Sequence, residues 1–342
     1  MIQYPDLIPG LPEELALECL TRLHYSAHRV AARVCKRWLH LIQSGDFYDQ
    51  RKKTGHTHKA VCLVQSLPGE PGLDEVKPAC SVSYGVTVFD PVSQAWDRVD
   101  PAPEYPDGLP LFCQVASSQG KLVVMGGWDP ASYQPVSDVL VYEFTTRRWS
   151  QGKKMPDTRS FFAAGEVNGR VIIAGGHDEN KNALSSAWAY DLTNNEWSEL
   201  TPMSQERDEC EGVVIGSMFC VVSGYKTESQ GVFERSAESY QLGTGEWKRV
   251  EGVWEPSQSG CPKSCVGVGK EAKLFSWAEC EPAIRVGTCG IQMDEWALVC
   301  GSGYQGGPQE FFSIEGQNGK FEKLNVPDEY KLFVQSGCSV EI

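Results

Sequence analysis

The sequence predicts an α+β chain in two parts: a small all-α bundle over residues 1–55 and an all-β propeller over residues 56–342. Six blades are favoured and five are admitted, with the ring closed by the C-terminal strand. Three observations carry this prediction. A phrase of strand, glycine pair, strand and Trp occurs three times, in Val123–Trp149, Ile172–Trp197 and Val221–Trp247. Its glycine positions (Gly126–Gly127, Gly175–Gly176 and, in the last copy, Ser223–Gly224) keep the same step as its tryptophans. That step, about 50 residues, is typical of stacked short-stranded repeats. Ahead of residue 56 the phrase is absent, and apolar residues recur at helical spacing instead.

Residues 1–55 are taken first. Pro12 at a first helical position, with Glu13 and Glu14 in the first turn, opens a helix. Leu15, Cys19, Leu20 and Leu23 continue one apolar face. Ser26 is placed to cap a second helix, whose stripe is Val30, Val34, Trp38, Leu41 and Ile42 and which Gly45 should stop. A short third helix, Phe47–Lys53, should end at Gly55. Three short helices cannot hide all of these apolar residues, so one face is left for a partner.

Each repeat then begins with an apolar run, such as LVVMGG or VIIAGG, long enough for one strand buried on both faces. Glycine at its end permits positive φ and close approach of a neighbouring chain. An alternating strand follows (VLVYEF, SAWAYDL), then a polar turn and a Trp that opens the last strand, as in WSEL. A sheet of four such strands has two apolar faces, so several must stack around an axis to bury both. The first sheet lacks an inner strand of its own: Lys59–Gln65, Gly85–Asp90 and Trp96–Val99 give three strands, with a Pro- and Gly-rich loop over Ser66–Ala79. The tail Leu332–Ile342 has the pattern of the missing strand and would close the ring, removing free sheet edges. First-and-second strand pairs number six, but residues 279–286 are too few for an outer pair. A rival parse joins 264–298 into one blade, which gives five.

Composition bounds the function. Gly 34 and Pro 20 among 342 residues suit a turn-rich β protein. No apolar stretch reaches the roughly 20 residues of a membrane span, and MIQYPDLIPG lacks the features of a secretory leader, so a soluble, non-secreted protein is expected. The 13 cysteines are odd in number, form no Cys-x-x-Cys and sit mostly in apolar runs (Cys62, Cys113, Cys220, Cys300). They read as reduced, buried thiols. Net charge is −14, and residues 1–58 hold eight Lys/Arg against six Asp/Glu, so the acidity belongs to the ring. An acidic ring repels a phosphate backbone, which argues against nucleic-acid binding.

Chemistry in the ring is sparse. A copper site needs several nitrogen and phenolate ligands, and the ring supplies one imidazole, His177. Cys261 and Cys265 have neither zinc-finger spacing nor nearby histidines. No catalytic residue, metal or cofactor is therefore expected. What remains is a binding surface. The loops after the glycine pairs carry Trp128–Asp129, His177–Asp178 and Tyr225–Lys226, and Arg159 and Arg207 stand at matched turns between blades. Loop aromatics and Arg are frequent hot spots, which makes Trp128, Asp129, Arg159, His177, Asp178, Arg207 and Tyr225 the candidate substrate contacts. The two arginines fit a structural pairing between blades equally well.

At this point the residues carry a resemblance. LPEELALECLTRL and VCKRWLHLIQSGDFYDQRKKTG resemble an F-box, through Leu11, Pro12, Leu15, Leu20, Leu23, Val34, Cys35, Lys36, Trp38, Phe47 and Arg51, with His24 where Pro is frequent. The repeats resemble kelch blades. The two-part order and the VQSGCSVEI ending are similar to the plant F-box/kelch-repeat family. The resemblance implies that Leu11, Pro12, Leu15, Leu20, Leu23, Val34 and Cys35 dock a Skp-type adaptor and, through it, a cullin–RING ligase, while Trp38 fills the bundle. It further implies that the propeller holds a protein substrate for ubiquitination and proteasomal degradation, in the cytoplasm, the nucleus or both. Some plant members recruit phenylalanine ammonia-lyase or response regulators, and no residue here selects between such clients. The alternative is a kelch scaffolding protein whose helical head merely dimerises.

Overall fold

Every complete blade runs outward from the ring axis as four antiparallel strands. The computed structural model describes residues 6–68, 82–256, 260–315 and 319–342, and among these it holds five such sheets. Blade 1 joins Val334–Glu341 to Lys59–Ser66, Tyr84–Asp90 and Ala95–Arg98. Cys62 lies opposite Cys338 in that closing pair, so the tail supplies the missing inner strand. Blade 2 spans Gln114–Gln151, blade 3 Ala163–Leu200, blade 4 Glu211–Val250 and blade 5 Val286–Lys323. Between blades 4 and 5 stands a two-stranded sheet, Val266–Val268 with Leu274–Ser276. Two 3-10 turns, Trp277–Glu279 and Pro282–Ile284, follow where outer strands would be. The count of complete blades is thus five, the number admitted beside six, because residues 279–286 are too few to pair. Most of the expected Ser66–Ala79 loop lies outside the described residues. Every cysteine among those described is a free thiol.

The repeated tryptophans hold neighbouring blades together. Each donates its indole N–H to a carbonyl on the segment leading out of the preceding blade: Trp149 to Asp100 at 2.7 Å, Trp197 to Lys153 at 2.8 Å and Trp247 to Thr201 at 2.6 Å. Their rings lie on Tyr142, Tyr190 and Tyr240 of their own sheets at 4.8–5.0 Å. The glycine pairs are required by close approach. A Cβ on Gly176 (φ 80°) would stand 2.4 Å from the Ser160 carbonyl, and one on Gly175 (φ 68°) 2.6 Å from that of Arg207. Ser223 (φ 60°) occupies the first glycine position of blade 4, and its Oγ donates to the Gly260 carbonyl at 3.4 Å.

The head has four helices where three were expected: α1 (Glu13–Thr21), α2 (Tyr25–Ala31), α3 (Lys36–Ile42) and α4 (Gly45–Thr54). Local side-chain acceptors redraw the boundaries. The His24 ring, rather than Ser26, caps α2 by accepting the Ser26 N–H. Cys35 Sγ accepts from Trp38 N, breaking the expected long helix into α2 and α3. Ser44 Oγ caps α4, so Gly45 starts a helix instead of stopping one. Gly55, at φ 71°, ends it as its left-handed cap. Leu7, Ala16, Leu20, Ala31, Ile42 and Phe47 form the head's core, with Trp38 packed against it. The Trp38 indole donates to the Leu7 carbonyl at 2.7 Å.

Arg51 fastens head to ring. It is 1% exposed, and its guanidinium donates to the main-chain oxygens of Leu23, His56 and Ile342 at 2.7, 2.7 and 3.3 Å. The His28 imidazole lies against it. Tyr48 rests on Gly120, Lys52 pairs with Glu341 and His24 approaches Asp90. Burial first, then the Arg51 charge, holds the His28 pKa down at about 4. An unfolded histidine titrates near ~6.5. Below that value the unfolded chain takes up a proton that the folded chain refuses, so stability is complete above about 6.5 and falls as pH drops towards about 4. The expected loss is on the order of 2–3 kcal/mol. His28→Gln should flatten that limb of the urea-midpoint profile, and a variant profile parallel to the wild type's would contradict it.

Candidate functional site

The head leaves apolar side chains uncovered. Leu15, Val30 and Val34 are 54%, 70% and 62% exposed, and Leu11, Pro12, Cys19 and Cys35 are also exposed. Leu20, expected among the adaptor contacts, is 2% exposed and belongs to the core of the head. Leu23 packs half-buried on that core, and its carbonyl serves Arg51. Leu20 therefore offers no surface in the folded head, while Leu23 keeps part of its own. Val30, which the sequence places in one stripe with Val34, is exposed like it.

The ring has two unlike ends. The head touches the end formed by hairpin turns: Gly120 and Asp90 meet Tyr48 and His24. The glycine-pair loops lie at the opposite end of the same strands and surround the other mouth of the channel, a cavity of about 530 Å³ lined by the innermost strands. There the main chains of Trp128, His177 and Tyr225 form matched bridges with Leu111, Ser160 and Asp208.

Side chains continue these bridges around the mouth. Trp128 Nε1 donates to Ser160 Oγ at 2.8 Å, Ser160 Oγ meets His177 Nε2 at 2.8 Å, and His177 Nδ1 meets Asp208 at 2.9 Å. Ser, His and Asp stand in the order of a hydrolytic triad. Ser160, however, is 0% exposed and its oxygen is covered by the Trp128 indole, so no acyl carbon can approach. The set works as a brace between blades 2, 3 and 4. Four of the expected substrate contacts are buried in the free chain. Arg159 and Arg207 are 0% exposed. Arg159 donates to the carbonyls of Gly175 and Ser186, and Arg207 to Ser223, Ser236 and the Glu238 carboxylate. His177 is held in the brace, and buried Tyr225 donates to Glu209 at 3.1 Å. Trp128, Asp129 and Asp178 remain half-buried at the rim. Asp129 accepts the N–H groups of Ala131 and Ser132, and the Ser132 N–H leads in lowering its pKa. Asp178 accepts those of Asn180 and Asn182. Both carboxylates shape their loops.

The residues that do face the mouth escaped the sequence reading. Phe112, Phe161, Glu209 and Ser264 occupy the same place, two residues before an innermost strand or sheet-forming segment, and all have positive φ (59°, 56°, 48° and 55°). Non-glycine residues in that region are strained and concentrate at functional sites. Phe112 and Phe161 stack at 4.5 Å, and Phe161 stacks on His177 at 5.3 Å. Lys263 reaches over from the two-stranded sector, its Nζ 4.8 Å from the Phe112 centroid and 4.4 Å from that of Phe161. Beside it opens a cavity of about 300 Å³, rimmed by Phe112, Phe333 and Arg285. Beneath lies Glu211, whose carboxyl accepts the Ser264 N–H at 2.5 Å and is pushed up to about 7 by burial. Aligning the repeats at the residue before Cys113, Phe162, Cys210 and Cys265 would have exposed this set.

A closed ring of sheets with a separately cored helical head defines a two-part β-propeller protein. The F-box domain model matches residues 8–50, and the KLHDC2/KLHL20/DRC7 Kelch-repeats domain model matches residues 72–276. F-box/kelch-repeat protein At2g44130 of Arabidopsis thaliana is 41% identical over 74% of this chain and 67% of its own length. F-box/kelch-repeat protein At1g15670 of the same plant is 34% identical over 98% of this chain and 100% of its own length. The solved structure of YjhT shares the fold, with a TM-score of 0.54 at 13% identity, over 70% of this chain and 91% of that one. This chain belongs to the plant F-box/kelch-repeat family. No helix among the described residues is long and apolar enough to cross a membrane.

Proposed function

We propose that the chain is the substrate receptor of an SCF-type ubiquitin ligase, with the head docking on a Skp-type adaptor and the far mouth of the propeller holding a protein client. The observation that carries this reading is the uncovered apolar face of Leu11, Leu15, Val30 and Val34 on a head that already has its own core. Such a face on a small bundle marks a protein contact. The fixed junction at Arg51 adds the second requirement of a receptor, a constant geometry between the two ends. A client held in the mouth then meets a ubiquitin-loaded enzyme at a high effective concentration. No side chain of this chain makes or breaks a bond in that scheme.

Co-expression with a Skp-type adaptor tests the head, and a stoichiometric complex on size exclusion is expected. Proximity labelling by a form lacking residues 1–55, with and without proteasome inhibition, tests the mouth: proteins captured by the ring should accumulate on inhibition in cells with the intact chain. A chain that purifies alone despite excess adaptor would overturn the reading.

A further inference from the structure

Among the described residues, Lys263 at the mouth stands against two aromatic rings at once. We propose that Lys263, held against the stacked pair Phe112 and Phe161, is the anchor for an acidic side chain, Asp or Glu, on an extended segment of the client protein. This rests on the mouth being the client site, and it adds the chemistry of what is gripped there.

Three observations converge on it. The Lys263 ammonium stands 4.8 and 4.4 Å from two phenyl centroids, an arrangement that strips water from the charge while holding it in place. Among the described residues its Nζ has no carboxylate within ion-pair range and no hydrogen-bond acceptor, although the side chain is half-buried. Burial accordingly lowers its pKa, with Cys261, Glu211 and Glu209 acting against that. A partly dehydrated ammonium with N–H donors to spare gains more from an arriving carboxylate than a fully hydrated one.

The surroundings fit a side chain on a strand of polypeptide. The adjoining cavity of about 300 Å³ also presents Arg285, and its rim carries the exposed rings of Phe112 and Phe333, 36% and 39% accessible. An acidic residue could enter while its apolar neighbours lie across the two rings. The carboxylates nearby do not occupy the place. Glu209 accepts from Tyr225, and Glu211 is turned to the Ser264 N–H. Glu279 also lines the cavity. The Phe112 backbone is itself fixed, since its N–H donates to Gln335 Oε1 on the inner strand of blade 1 at 2.8 Å. The arrangement is therefore set before any ligand arrives.

The test uses the full chain in complex with its adaptor and three capped probes: acetyl-Gly-Phe-Glu-Phe-Gly-amide, the same peptide with Gln for Glu, and the Gln peptide with a free C-terminal carboxylate. Binding is read by calorimetry. The Glu peptide should bind at least about 5-fold more tightly than either Gln peptide, equivalent to ~1 kcal/mol. Lys263→Met keeps an apolar stem against the rings and removes the charge, so it should erase that preference while adaptor binding and melting temperature stay unchanged. Lys263→Arg should retain a preference. Equal binding of the Glu and Gln peptides, a preference that survives Lys263→Met, or tight binding of the free-acid peptide alone each overturns the assignment. Adaptor binding measured on the same samples separates failure of the anchor from failure of the receptor reading.

Discussion

Arg207→Met is expected to destabilise the ring by about 3–5 kcal/mol, because it leaves a buried carboxylate without its partner. Arg207 and Glu238 are both 0% exposed, with Nε and Oε1 3.1 Å apart. The guanidinium also satisfies the Ser223 and Ser236 carbonyls. Glu238 in turn accepts the Ser204 N–H at 2.7 Å, so the pair ties the connection before blade 4 to that blade's second and third strands. Methionine fills the volume but meets none of these acceptors, and each orphaned group adds to the loss. Adding Glu238→Gln should recover part of it, since an amide tolerates burial without a cation. Urea midpoints of the single and double variants give the coupling directly. A single variant within about 0.5 kcal/mol of wild type would return Arg207 to the list of residues free to meet a client.

That outcome bears on what was legible beforehand. The ring was legible because its signal is periodic: glycines that must approach a neighbour's carbonyl, and a Trp that must reach the preceding blade, recur wherever the geometry recurs. Ring closure was legible too, since Val334–Glu341 has the pattern of an inner strand with no partner nearby in sequence. The head's boundaries were less so. His24, Cys35 and Ser44 each compete for one backbone N–H, and such local bonds override an apolar stripe without altering it. The site was the least legible. Loop position suggested exposure for Arg159, Arg207 and His177, yet a propeller's inter-blade turns are buried by the next blade. Lys263 belonged to a segment judged only for zinc spacing, and although Phe112 and Phe161 stand at matched repeat positions, nothing in the repeat announces a lysine from the two-stranded sector reaching over them.

The head face gives the sharper functional prediction. Leu15→Asp with Val34→Asp is expected to weaken capture of a Skp-type adaptor by at least about 100-fold, equivalent to ~2.7 kcal/mol, because each carboxylate would be buried unpaired at a formed interface. The two positions are 54% and 62% exposed in the free chain, so the melt should shift by no more than about 0.5 kcal/mol. Leu20→Ala should do the reverse. At 2% exposure it opens a cavity in the head, costing about 2–5 kcal/mol, and adaptor capture should fall only at temperatures where the head begins to melt. The contrast separates a contact residue from a core residue in one leucine-rich helix, which neither a pull-down nor a melt achieves alone. If the double variant still captures adaptor at wild-type affinity, the uncovered face serves something else, and the two ends of the molecule lose their assigned division of labour.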